Sequence, residues 1–357
     1  MFCSRTCLRV THSGASTVHR AAWCHRPSAA DNWRVKRTRV ALVLGGGGAR
    51  GFAHIGVIGE LLRRDVDIVG IGGTSMGALV GGLYAAGALP QFETWAAALT
   101  QRDVLRLIDP SLTAPGGMVR AERLLDFVRE LLGTTLVEQL PIPFTAVATD
   151  LITGRPVWLQ HGRLDDAIRA SIAIPGVITP HTVGGRLLAD GGILDPLPLA
   201  TVNHVDADIV IGVDVGADSA ADRVRLRANA ESRPVEELVD RLRRSTNQLM
   251  DTEFVRTVRD RFRPVESEQA VEIPGVATQS ELRLNQIEVL NRALELMQTS
   301  LTRLRISADP PDLLIEVPRG TARALDFHRA AELIAGGRER AIAALDSSGY
   351  PDLVQPV

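Results

Sequence analysis

Between Arg39 and Gly72 the chain runs apolar segment, glycine cluster, helical spacing, apolar segment, and this order limits the fold more than any other feature. Arg39–Leu44 (RVALVL) reads as a short buried strand, broken at once by Gly45–Gly51 (GGGGARG). Over Phe52–Arg64, Ile55, Ile58, Leu61 and Leu62 recur on one side of a helix, and Asp67–Gly72 forms a second strand. Two strands joined through a helix pair in parallel with a right-handed crossover, so the expectation is an α/β fold.

The second strand ends in Gly73-Thr74-Ser75-Met76-Gly77, a G-x-S-x-G sequence. A helix rich in small residues follows, with Ala78, Gly81, Gly82, Ala85 and Ala86. Strand, tight turn and helix are the setting of a nucleophile elbow, in which glycines permit a turn too close for a Cβ. Alone, Ser75 would read as a turn residue or helix cap. The glycine cluster also fits a dinucleotide fingerprint at Gly46, Gly48 and Gly51. That reading needs an acidic residue closing the second strand, whereas Asp67 opens it and Ser75 stands at its end. The Gly-Lys-Ser/Thr of a nucleotide P-loop is missing too, so the preferred reading is an oxyanion hole built from the Gly46, Gly47 and Gly48 amides. A third glycine site, Asp190-Gly191-Gly192, follows a hairpin pattern around Gly184-Gly185 and would alone be a plain turn.

Along the rest of the chain, Gln91–Leu107 reads as one helix, Asp109–Gly117 as a loop and Arg120–Leu132 as an amphipathic helix. Phe144–Thr149 and Pro156–Leu159 are strands around a turn that Asp150 orders, and Leu164–Ala170 is a short helix. Asp208–Val215 and Leu313–Val317 are further strands, and Arg323–Leu345 is a closing helical region. Ile287, Leu290, Leu294, Met297, Leu301 and Leu304 recur at three- and four-residue steps, read as a buried core helix in preference to a dimer seam or lipid-contacting face. The expected division is a disordered or spurious extension over residues 1–37, a catalytic domain over 38–215, and a helical insertion with C-terminal region over 216–357. The extension has no acidic residue before Asp31 and no apolar core of the length a secretory signal needs. It holds all three cysteines, Cys3, Cys7 and Cys24, so neither a disulfide nor a cysteine–zinc site is expected to support the main fold.

In sequence order, GGGGARG, GTSMG (Gly73–Gly77), ASIAIPG (Ala170–Gly176), DGG (Asp190–Gly192) and its continuation Ile193–Pro198 resemble bacterial patatin-like phospholipases over about Arg39–Val215. The resemblance implies a three-layer α/β/α fold with a mainly parallel central sheet and a peripheral helical C-terminal region. It implies a serine acyl-ester hydrolase in lipid metabolism with a Ser–Asp dyad: Ser75 attacks the ester carbonyl and Asp190 accepts and returns the proton. Gly46, Gly47 and Gly48 would hold the oxyanion, with Gly45, Arg50, Gly51, Gly73, Gly77, Gly191 and Gly192 supporting the motifs. Asp190 would need an apolar pocket to raise its pKa from the usual value near 3.9. No metal or organic cofactor is implied; the implied partners are a lipid ester and, transiently, a membrane surface.

Competing readings are a Ser-Asp-His triad using His204 or His328, and a scaffold with a vestigial site. Arg50 is read as either a phosphate-headgroup contact or a salt bridge, His54 as core packing, and Asp195 as a decoy for Asp190. A net charge of −2 gives no argument for nucleic acid. No apolar run approaches the roughly 20 residues of a bilayer span, so a cytoplasmic or peripheral protein is expected. Oligomeric state stays open.

Overall fold

The computed structural model describes residues 37–107, 122–175, 177–218, 286–350 and 353. The readings of the N-terminal extension, the 109–117 loop and the 219–284 insertion lie outside these residues. The first apolar run is β1 (Arg39–Leu44), with Val40 to Leu44 fully buried. The glycine loop tightens into a 3-10 turn (Gly48–Phe52) and enters α1 (Ala53–Arg63). Then come β2 (Asp67–Thr74), α2 (Met76–Ala85), α3 (Leu89–Ala97), α4 (Gln101–Leu107) and α5 (Glu122–Leu132). β3 (Phe144–Asp150), β4 (Arg155–Leu159), α6 (Leu164–Ser171), β5 (His181–Val183), β6 (Arg186–Asp190) and β7 (Ile209–Ala217) follow. The remaining regular elements are α7 (Gln286–Ala308), β8 (Leu313–Pro318) and α8 (Ala330–Asp346).

One sheet of eight strands runs β5-β6-β3-β2-β1-β7-β8, with β4 also pairing with β3. From β3 to β8 neighbours are parallel, and β4, β5 and β6 join by antiparallel pairing. Alternation along β1 divides the core. Val40, Leu42 and Leu44 enter the larger cluster with α1, α2, α6 and α8, while Ala41 and Val43 meet Leu197, Leu199 and Val202 on the other face. The result is the three-layer α/β/α fold, and β1 lies at its middle because it is apolar on both faces.

Four details depart from the sequence reading. Leu62 is exposed, since its position has turned away from the sheet by the last turn of α1. Gln91–Leu107 is two helices. Thr100 and Asp103 bond reciprocally, Thr100 N–H to Asp103 Oδ2 (3.1 Å) and Asp103 N–H to Thr100 Oγ1 (3.3 Å), a capping box that starts α4 afresh. The closing helix starts only at Ala330, after 3-10 turns at Arg319–Thr321 and Phe327–Arg329. The largest correction concerns α7: of the stripe, Met297 and Leu304 are exposed and Leu294 and Leu301 half-buried, while Glu295, Thr299 and Thr302 turn toward the domain. The apolar stripe marks the helix correctly and gives only part of its inward face, because the surface that α7 covers holds buried arginines.

Candidate active site

Ser75 occupies the junction between β2 and α2 with φ 55° and ψ −123°. Among the described residues only Asp65 shares positive φ without being glycine. Such a backbone costs on the order of 1–3 kcal/mol and persists only where its surroundings enforce it. Here the enforcement is steric: a Cβ on Gly77 would stand 2.1 Å from the Leu44 carbonyl oxygen, so α2 leaves the strand at a distance only glycine allows. Hydrogen bonds fix the turn. The Ser75 N–H donates to Ser171 Oγ (2.9 Å), the Ser171 hydroxyl donates to the Val147 carbonyl (2.6 Å), and the Thr74 hydroxyl donates to the Asp195 carbonyl (2.8 Å).

Ser171, fully buried at the end of α6, thus ties the elbow to β3. In the sequence it stands only inside the Ala170–Gly176 motif, with no role of its own. Ser171→Ala leaves a buried N–H and a carbonyl unpaired; a stability loss of about 1–3 kcal/mol in denaturant titration is expected, with lower turnover. A variant as stable and active as wild type would sink this role.

Asp190 reaches the same spot from β6. In the sheet Thr74 is opposite Val147 and Ala148 is opposite Asp190, so β3 sets the two residues level across its width. The Asp190 N–H donates to the Ala173 carbonyl (2.9 Å), and Oδ1 accepts the Gly192 N–H (2.7 Å). Oδ2 is buried with no formed hydrogen bond among the described residues. Burial pushes the Asp190 pKa up to about 6, with the Ser75 hydroxyl and the Gly192 N–H opposing. The hydroxyl is therefore close enough to favour the carboxylate, yet short of a closed hydrogen bond with Oδ2; such bonds commonly tighten only around substrate.

The glycine loop is held from three sides. Gly45 N–H donates to the Val213 carbonyl (3.0 Å), Gly46 N–H to the Pro196 carbonyl (2.9 Å) and Ala49 N–H to the Ala324 carbonyl (2.8 Å). Gly46 therefore has no amide left for an oxyanion, whereas the Gly47 and Gly48 N–H groups carry no hydrogen bond among the described residues. Their place at the start of a 3-10 turn leaves these donors unpaired by the helix itself.

A family model described as patatin-like phospholipase matches residues 42–202. An NTE family protein of Mycobacterium tuberculosis is 48% identical over 345 residues, covering 88% of this chain and 93% of that one. The chain belongs to the patatin-like phospholipase family. At the level of the family this makes it a lipid-ester hydrolase. Lysophospholipase nte1 of Emericella nidulans is 34% identical over 188 residues, 50% of this chain and 12% of the fungal one. The crystal structure of VipD from Legionella pneumophila overlays 87% of this chain and 67% of its own, with a TM-score of 0.40 and 15% identity.

The other titratable residues of the chain sort themselves by their partners. His54 is fully buried on α1, its pKa lowered to about 4 by burial against the pull of the Gly45 carbonyl. It is neutral near pH 7, so its Nε2–H donates to Gly45 O (2.8 Å) and anchors the loop, a role beyond core packing. Asp195 is also buried and pushed up to about 6, but its Oδ1 faces Arg305 Nε at 3.2 Å. Asp150 accepts the Ile152 and Thr153 N–H groups (2.9 and 3.1 Å) and orders its turn. Arg50 is buried and makes the salt bridge, its guanidinium reaching Glu295 (3.2 Å) and the Arg319 and Ala322 carbonyls (3.4 and 3.3 Å). His204 is exposed near the start of β7, the end of the parallel strands opposite Ser75, and His328 is exposed on a 3-10 turn. No described helix is long and apolar enough to cross a membrane.

Proposed function

We propose that this chain is a serine acyl-ester hydrolase that cleaves fatty acyl esters of phospholipid or lysophospholipid through Ser75 and Asp190. The observation that carries the reading is the pairing of an elbow serine in a strained conformation with a buried carboxyl whose Oδ2 has no formed hydrogen bond. Ser75 Oγ attacks the ester carbonyl as its proton passes to Asp190. The oxyanion takes the Gly47 and Gly48 N–H groups, and Asp190 returns the proton to the departing alcohol. Water then attacks the acyl-serine, Asp190 again serving as base, and the fatty acid leaves. A carboxyl near 6 is ionised at neutral pH and a better base than one at 3.8. The catalytic domain is residues 38–215, with the C-terminal elements packed on it, and lipid is met at a membrane surface. The lysophospholipase name borne by the fungal relative supports lysophospholipid within this class.

The test is fatty acid release by purified protein from lysophosphatidylcholine micelles and phosphatidylcholine vesicles, beside labelling by a fluorophosphonate. Labelling at Ser75 and release from at least one lipid are expected. Folded protein that neither labels nor releases fatty acid would return the vestigial scaffold to the front.

A further inference from the structure

Two hairpins stand beside the dyad, and their surface is apolar where turns are ordinarily polar. β3 runs parallel to β2 with Val147 opposite Thr74, and it continues past that level to Asp150 before turning into β4. The tip Leu151-Ile152-Thr153-Gly154 therefore leads the Ser75 elbow by roughly 10–15 Å, at about 3.3 Å per residue. Turn tips favour Gly, Asn, Asp and Ser, yet here Leu151 is exposed and Ile152 is 79% exposed. The turn is firmly held in this form. Asp150 Oδ1 accepts the Ile152 and Thr153 N–H groups (2.9 and 3.1 Å), and the Gly154 N–H donates to the Asp150 carbonyl (2.9 Å). The Leu151 N–H donates to the Leu187 carbonyl (3.0 Å), which joins the tip to β6 of the second hairpin. Register carries the apolar surface onward. Pro156 and Ala189 both lie opposite Thr149, one on each side, so Pro156, Trp158 and Leu187 share one sheet face, and all three are exposed.

The exposed charge on these hairpins has one sign. The acids from Phe144 to Leu159 and from His181 to Asp190 are Asp150 and Asp190, both buried. Arg155 and Arg186 open β4 and β6, exposed and without a hydrogen bond or ion pair among the described residues. Asp166 of α6 is engaged by His181 (2.8 Å). β4 pairs with β3 alone among the described residues, but Pro156 brings no N–H to that edge and Arg155 adds a charge, so a further strand has little to pair with. An apolar tip, an exposed Trp and flanking arginines are the composition of an interfacial membrane contact.

We propose that the Leu151–Gly154 tip, with Trp158 and Leu187 behind it, is the surface by which this chain docks on an anionic phospholipid bilayer. Leu151 and Ile152 enter the headgroup boundary, and Arg155 and Arg186 meet lipid phosphates. The choice of a lipid surface as the partner rests on the lipid-ester hydrolase reading. The tip lies at the end of the sheet that carries Ser75 and Asp190, so docking turns that end toward the bilayer and brings ester bonds before the dyad.

Flotation of the full chain with vesicles tests this, phosphatidylcholine containing phosphatidylglycerol being set against pure phosphatidylcholine. The proteins are wild type, Ile152→Asp and the double variant Arg155→Glu/Arg186→Glu. Melting temperatures check the fold, and Ile152→Ser repeats the test if Ile152→Asp lowers its own. Wild type should float with the anionic vesicles. Ile152→Asp should weaken partitioning about tenfold, the loss of one buried aliphatic side chain. The arginine reversal should remove the preference for anionic vesicles. Hydrolysis of p-nitrophenyl butyrate, a soluble ester, should be unchanged in these variants, while fatty acid release from vesicles falls with binding. Wild type that does not float, or variants that float as wild type does, overturns the docking surface. Soluble-ester hydrolysis lost as strongly as vesicle hydrolysis overturns it too. So does a dimer, found by sedimentation without lipid, that Ile152→Asp dissociates, because the tip is then a contact between copies. The two readings fail separately, since flotation needs no turnover. Protein that floats through this tip yet cleaves no ester refutes the hydrolase and keeps the surface; protein that cleaves ester while the tip variants float unchanged does the reverse.

Discussion

Ser75→Ala is expected to remove hydrolysis almost completely, on the order of a 10⁵–10⁶-fold loss in kcat, the scale seen when the nucleophile of a serine hydrolase is deleted. The substitution keeps the Cβ and the backbone, so the Ser75 N–H bond to Ser171 and the strained φ of 55° both survive. Its melting temperature should stay close to wild type, which assigns the loss to chemistry. Ser75→Gly makes a sharper companion. Glycine occupies positive φ without the steric penalty, so this variant should be equally inactive and more stable, by up to the roughly 1–3 kcal/mol stored in the turn. Denaturant titration and fatty acid release, measured on both variants, test the pair. Alanine protein that still turns over lipid would remove Ser75 from the mechanism. Glycine protein less stable than wild type would remove the claim of stored strain.

The parts of this site visible in the sequence are those carried by short-range pattern. RVALVL, the glycines after it and the spacing of Ile55, Ile58 and Leu61 report β1, the loop and α1, because each depends on residues within a few positions. The break between α3 and α4, within what reads as one helix, has a local signal as well, the Thr100-x-x-Asp103 capping pattern. What was not legible depends on distant partners. Ser171 supports Ser75 across 96 positions, and nothing in either residue's neighbourhood announces it. Whether Gly46 or Gly48 offers a free amide is decided by where the Pro196 carbonyl falls. The orientation of α7 is the clearest case: apolar spacing tells which residues share a side, while the chemistry of the surface beneath tells which side turns in. That surface contains Arg50 and Arg319, so the polar side of α7 faces it.

Asp190→Asn should cost activity and strengthen the fold at once. Asparagine cannot accept the Ser75 proton, so kcat is expected to drop about 10²–10⁴-fold. Its side-chain oxygen can still take the Gly192 N–H, so the 3-10 turn after β6 keeps its cap. In wild type the folded pKa, about 6, lies above the ordinary 3.8, so the folded state holds this proton more tightly than the unfolded chain. The stability this contributes is full below about 3.8 and is lost as pH rises through about 6. Above that, a buried charge opposes folding, and removing it should stabilise the protein at pH 7–8 on the order of 1–3 kcal/mol. Activity runs the other way, since only the carboxylate is a base: kcat/KM should climb as pH rises and level off above about 6. Asp195 titrates in the same range, but it faces Arg305 and not Ser75. Asp195→Asn should therefore alter the pH dependence of stability while leaving the rising limb of activity in place. If Asp190→Asn kept near-normal turnover and His204→Ala or His328→Ala abolished it, the base would be a histidine. The buried carboxyl beside Ser75 would then be a structural acid whose cost to the fold had no catalytic return.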